Sequence, residues 1–206
     1  MRLRTGPPAP TDWGDNRVPI FTIRLVHQTF FMSSSFNFET RPALVGDAKV
    51  IAEIHVSASQ AAFKGLVPGE QMPAIPLDQS QAFWRDAIEF NEPQVYVALD
   101  DEDVVGFVGF DRSRDKGTPN TTGEIWAIYA STSHWGQGVG LALWDAARDG
   151  LLEEGCTKVT LWVPLGNERA MRFHDLAGFK REMTSIKTIP VGTVKVEEIR
   201  LKRDLT

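Results

Sequence analysis

The chain has 206 residues, 42% of them hydrophobic, with six Trp and twelve Phe, enough to bury one sizeable core without disulfide or metal staples. Its 22 Lys and Arg are outnumbered by 27 Asp and Glu, for a net charge of −5, and the basic residues are scattered, which argues against a nucleic-acid surface. The single cysteine, Cys156, excludes an internal disulfide and suits a reducing cytoplasmic setting, where it reads as a small buried hydrophobe.

Residues 1–34 differ from the rest. MRLRTGPPAP is rich in Pro and Gly, Ser33 to Ser35 is polar, and no helical period runs between them, so a flexible N-terminal tail is expected ahead of one domain over 35–206. The apolar run Ile20 to Met32 is interrupted by Arg24, His27 and Gln28, which suits neither a membrane span nor a signal-peptide core. Met32 stands directly before the globular pattern and is an alternative start of the protein.

Phe36 to Pro42 alternates like a first strand, and Asp47 is placed to cap a helix carrying Val50, Ile51, Ile54 and His55 on one stripe. A further helical turn is expected from Ala58, ended by Gly65 and Pro68, and an amphipathic helix over Gln79 to Phe90. Val95 to Leu99 and Val104 to Phe110 predict a hairpin about the acidic turn Asp100 to Asp103. Then come a strand over Glu124 to Ala130, a helix over Gly138 to Glu154 and a strand over Val159 to Val163. A helix over Asn167 to Ala177, stopped by Gly178, and two strands turning at Pro190 to Gly192 complete the chain.

The most informative stretch is Gly123 to Leu143, a strand running into a glycine-rich loop that opens a helix. Gly136, Gly138 and Gly140 let the backbone approach a ligand closely, and free amides at a helix start favour an anion, so a phosphorylated ligand is expected. No Lys follows these glycines, which excludes a Walker loop. The dinucleotide fingerprint fails too, because its last Gly or Ala falls on Leu141 in one frame and Leu143 in the other. No His/Cys/Asp cluster has metal spacing.

Trp135-Gly136-Gln137-Gly138-Val139-Gly140 resembles motif A of the GNAT acetyltransferase superfamily, with Trp135 where Arg or Gln is common. Downstream, Asn167, Ala170, Phe173 and Gly178-Phe179 are in register with that superfamily's motif B. The resemblance covers roughly 36–205 and implies the α/β GNAT fold, a mixed, twisted sheet of six to seven strands flanked by about four helices. It implies an acetyl-CoA-dependent N-acetyltransferase without a metal, acting on a primary amine, with a small molecule favoured as acceptor. Acetylation of a protein N-terminus or lysine, and a non-catalytic CoA-binding module, stay open as alternatives. No membrane or nucleic-acid partner is expected, and a homodimer stands beside a monomer.

The resemblance also implies roles. The backbone of Ile128 and Ala130 would pair with the pantetheine arm, residues 135–140 would hold the pyrophosphate, and Asn167 and Phe173 would line the cofactor. Asn167 also sits where it would cap its helix. Glu124, at the head of the same strand, is the candidate base for the amine, with a solvated strand-end carboxylate as the alternative. His174 stands where the superfamily commonly has a Tyr thought to protonate the departing thiolate; a core histidine bonded to backbone is the other reading.

Overall fold

A computed structural model of the chain describes residues 38–206. The expected tail and the first two residues of the expected opening strand lie outside the described residues. In chain order the elements are β1 (Glu39–Pro42), α1 (Ala48–Phe63), α2 (Leu77–Phe90), β2 (Gln94–Asp100), β3 (Asp103–Arg112) and β4 (Thr122–Ala130). There follow α3 (Val139–Glu153), β5 (Lys158–Pro164), α4 (Glu168–Leu176), β6 (Lys180–Arg181), β7 (Lys187–Val191) and β8 (Val194–Asp204).

The strands form one sheet in the order β1-β2-β3-β4-β5-β8-β6, with β7 also paired to β8. Every pairing is antiparallel except β4 with β5, which are parallel. The mixed sheet with four α-helices agrees with the sequence, and its eighth strand is the two-residue β6, too short to carry a period. α1 is one helix through Phe63 where a break was expected, because Ala58 to Phe63 contains neither Gly nor Pro. Asp47 does not cap α1 with its side chain. Its carboxylate instead accepts from the Leu44 amide at 2.7 Å and from Arg41 at 2.6 Å, bracing the preceding turn.

Alternation along the strands divides the apolar residues between the two sheet faces. On one face, Val139, Leu143, Ala147 and Leu151 of α3 pack with Val108, Phe110, Ile125, Val159, Leu161 and Leu201, so the helix presents the stripe its spacing predicts. On the other, Ile51 and Ile54 of α1 and Trp84 of α2 cover Val97 and Phe107, with Ala127 and Tyr129 of β4 at the margin. A smaller cluster joins Phe63, the last residue of α1, and Val67 beyond it to Val191 and Val196. Cys156 is buried in the first core, as a small apolar residue would be. Among the described residues no helix is long and apolar enough to cross a membrane, and no group of His, Cys, Asp and Glu gathers to hold a metal.

Candidate active site

The site begins where the sheet opens. β4 pairs with β5 only from Thr122 to Glu124, against Lys158 to Thr160, and beyond that point the parallel neighbours part. The departure coincides with a bulge in β4. Ile125 opposes Phe110 and Ala127 opposes Gly109, so Trp126 is the extra residue, and a bulge bends and twists the strand that carries it. Ser131 donates to the Val105 carbonyl at 2.8 Å, so by alternation Tyr129 and Ser131 bond toward β3. The amides and carbonyls of Ile128 and Ala130 therefore face the wedge between β4 and β5. That is the edge to which the resemblance assigns the pantetheine contacts.

The glycine loop stands at the head of this wedge. Gly136 and Gly138 have φ of +75° and +101°, values that L side chains rarely adopt, and Gly138 is the N-cap of α3. Leu141 and Ala142 are the first amides to bond back to Gly138, so those of Val139 and Gly140 precede the helical ladder, at the positive end of a fifteen-residue helix. The loop is braced from within: Gln137 donates to the Ser133 carbonyl at 2.9 Å, Ser133 bonds His134 at 2.9 Å, and His134 reaches Asp100 at 3.3 Å.

α4 closes the far side. Asn167 caps it, its side-chain oxygen accepting from the Ala170 amide at 3.1 Å, and Phe173 lies so near Gly140 that a Cβ there would stand 3.1 Å from its ring. Trp135 is shared between the two motifs. Its indole donates to the Ala130 carbonyl at 2.9 Å, and the Arg169 guanidinium lies 2.9 Å from its ring centroid. The position that commonly carries Arg or Gln thus holds an aromatic plate, with a cation supplied from the first turn of α4.

Glu124 is 3% exposed in its side chain and is not a solvated strand-end carboxylate. It accepts from the Arg114 amide at 2.9 Å and Nε at 3.2 Å, and pairs closely with Nη2. The same guanidinium lies 3.9 Å from the Trp126 ring centroid. His174 is buried between the rings of Phe173 and Phe179, and its Nδ1 has no hydrogen-bond partner. Burial pulls its pKa down to about 4, so the imidazole is neutral at ordinary pH. Among the described residues, Trp126 Nε1 is the other buried polar side-chain atom without a partner. His174 belongs to α4 and Trp126 to the bulge of β4.

On the α1 side of the wedge the structure gathers residues that the sequence did not single out. The Tyr129 ring packs against His55 of α1 and Phe107 of β3, and its pKa is raised by burial. Glu198 of β8 lies within electrostatic reach of it, and its own pKa is raised chiefly by burial, against the opposing pull of Lys187. Lys187 stands 3.7 Å from Glu198 Oε2 and 3.6 Å from the Trp162 ring centroid. Nothing in VKVEEIRLKR distinguishes Glu198 from Glu197, because both faces of β8 bury apolar residues.

The family model described as the acetyltransferase (GNAT) family matches residues 63–179, more than half of the chain, and the protein belongs to that family. A curated relative, the uncharacterized N-acetyltransferase YuaI of Bacillus subtilis (strain 168), is 25% identical over 164 residues, covering 78% of this chain and 90% of the relative. Among solved structures, an N-acetyltransferase from Staphylococcus aureus Mu50 superposes with a TM-score of 0.63 at 19% identity, covering 82% of this chain and 99% of the other. The structure described as yncA of Salmonella typhimurium with its cofactor acetyl-CoA gives 0.62 at 20% identity, over 82% and 95%. The PaiA N-acetyltransferase of Thermoplasma acidophilum in complex with coenzyme A gives 0.62 at 15% identity, over 81% and 98%. The protein is accordingly an acetyltransferase with the GNAT fold.

Proposed function

We propose that the protein transfers the acetyl group of acetyl-CoA directly to the primary amine of a small molecule, with both substrates bound at once. The observation that carries this reading is the parting of β4 from β5 beside the α3 amides, which leaves an unpaired strand edge leading to an anion-binding helix start. Those two features match a long ligand with a peptide-like arm and a pyrophosphate. In this reading Ile128 and Ala130 pair with the arm, and the loop Trp135, Gly136, Gln137, Gly138, Val139 and Gly140 holds the pyrophosphate. Asn167 and Phe173 border the cofactor from α4. Two structural neighbours described with acetyl-CoA or coenzyme A bound support the donor.

Acyl transfer to an amine requires a held donor, an amine free of its proton, and a proton for the departing thiolate. His174 enters as a neutral imidazole, able to offer an N–H to the sulfur but not to act as a stored imidazolium. Glu124 enters through Arg114, which it fixes against Trp126 at the foot of the wedge.

Calorimetric titration of the full chain with acetyl-CoA, NAD and ATP tests the donor, and thiol release over an amine panel tests the transfer. Selective acetyl-CoA binding followed by amine-dependent thiol release is the expected result. Equal affinity for NAD would overturn the donor assignment. Binding with no release from small amines, but with release from peptide N-termini or lysines, would replace the small-molecule acceptor with a protein. Binding without any transfer would leave a CoA-binding module.

A further inference from the structure

The acceptor's ammonium group needs a carboxylate that is shielded from water and still able to exchange its partner. Glu124 is shielded, but its oxygens already accept three hydrogen bonds from Arg114. Glu198 meets both requirements. Its side chain is 14% exposed, and among the described residues its one ion-pair contact is Lys187 at 3.7 Å, longer than a hydrogen bond.

The placement of Glu198 follows from the register of the sheet. It lies opposite Pro164 at the end of β5 and opposite Lys187 of β7. Ile199 and Leu201 face the α3 core, so Val196, Glu198 and Arg200 face the α1 side, where Val196 packs with Phe63 and Val67. Tyr129, packed beside His55 of α1, faces the same side from β4. The two residues therefore flank the wedge from opposite strands, and Trp162 of β5 supplies an aromatic surface beside them.

Lys187 reveals what this arrangement recognises. Its ammonium is placed against the Glu198 carboxylate and over the Trp162 ring, 3.6 Å from the centroid, a combination of charge and aromatic face that suits an amine cation. The Lys187 side chain is 42% exposed, on a five-residue strand paired only with β8, so it can be displaced toward solvent.

We infer that Glu198 is the carboxylate of the acceptor site: the substrate's ammonium displaces Lys187 from between Glu198 and the Trp162 face, and Glu198 takes its proton. The inference rests on the transferase reading above. The proton passes from R–NH3+ to the Glu198 carboxylate. The freed nitrogen lone pair attacks the thioester carbonyl, the C–N bond forms and the C–S bond breaks. The second nitrogen proton goes to the thiolate, and Glu198 returns its proton to water. The products are the acetamide, CoA thiol and one proton. A carboxyl whose pKa is raised by burial is a better proton acceptor than an exposed one.

The test uses the full chain and straight-chain primary amines from n-propylamine to n-hexylamine. Amine binding is measured by calorimetry in the presence of CoA, and transfer by thiol release from acetyl-CoA. Glu198→Gln is expected to weaken amine binding at least about 10-fold and to lower kcat/KM by about 10²- to 10⁴-fold, with acetyl-CoA affinity within about two-fold of the unaltered protein. The unchanged cofactor affinity certifies the fold. Lys187→Met is expected to tighten amine binding by about two- to ten-fold, because the competing ammonium is gone. Glu198→Gln that binds and acetylates amines like the unaltered protein would overturn the inference, as would weaker amine binding in Lys187→Met or no amine binding by the unaltered protein. If the unaltered protein binds amines through Glu198 but transfers no acetyl group, the transferase reading fails and the ammonium site stands.

Discussion

The Arg169 guanidinium is stacked 2.9 Å from the centroid of the Trp135 ring, which joins the first turn of α4 to the glycine loop that opens α3. The same indole donates to the Ala130 carbonyl, on the strand edge proposed for the pantetheine arm. Trp135 therefore holds the Arg169 cation beside the loop proposed for the pyrophosphate while occupying one acceptor on the edge proposed for the arm.

These two roles separate by substitution. Arg169→Ala removes the cation and is expected to raise the Kd for acetyl-CoA about 10-fold, since charge-assisted contacts contribute about 1.5–3 kcal/mol when formed directly. Trp135→Phe keeps a ring for Arg169 but loses the indole N–H, which frees the Ala130 carbonyl. Its expected effect is an unchanged or tighter Kd, by up to about ten-fold, at one neutral hydrogen bond of about 0.5–1.5 kcal/mol. Calorimetry on both variants decides; weaker binding by Trp135→Phe would mean that the indole N–H serves the ligand.

The Glu124–Arg114 pair makes a prediction about stability. Arg114→Ala leaves a carboxylate that is 3% exposed without its two guanidinium donors, and should lower the unfolding free energy by about 1–3 kcal/mol. Glu124→Gln removes the charge but keeps an acceptor, and should cost less. The double variant should be more stable than the sum of the single losses predicts, because the unpaired charge is gone. Urea denaturation of all four proteins measures the coupling, and strict additivity would refute the pairing.

What the sequence disclosed follows from which interactions are local. The glycine loop before α3 and the Asn167 cap are set by residues a few positions apart, so spacing alone locates them. Partners from distant strands were hidden. Arg114 meets Glu124 across the β3–β4 connection, and Arg169 meets Trp135 only because α4 packs beside the start of α3. Glu198 and Tyr129 are brought near one another by the β4-β5-β8 order, which no periodicity encodes. Glu124 lies in β4, but the sequence around it carried no information about its counter-ion.

His174 should make stability depend on pH. Its folded pKa of about 4 lies below the ordinary 6.5, so between those values the unfolded chain binds the extra proton. Stability from the buried neutral imidazole is therefore present above about pH 6.5 and falls as the pH drops toward about 4, by about 3 kcal/mol in full. Glu198, with its raised pKa, acts in the opposite sense in acid, so the comparison must be with His174→Phe. The difference in unfolding free energy between the two proteins should shift in favour of His174→Phe as pH falls from 7 to 5. A difference that stays constant over that range would show that the histidine ionises freely in the fold.

The glycines of the loop should divide by cause. Gly138 has φ of +101°, so alanine there is strained whatever the surrounding space, and the strain falls on the N-cap that directs the first α3 amides. Gly138→Ala is expected to weaken acetyl-CoA binding about ten-fold or more while lowering stability by about 1–2 kcal/mol. Gly140 lies within α3, where alanine favours the helix, but its Cβ would meet the Phe173 ring at 3.1 Å. The Phe173 ring must then give by a few tenths of an ångström at the wall that borders the wedge. Gly140→Ala should therefore leave the unfolding midpoint within a few degrees while weakening cofactor binding, and the double change with Phe173→Leu should recover part of the affinity. Failure of Phe173→Leu to restore any binding would place the defect in the loop backbone, not in the contact between the two helices.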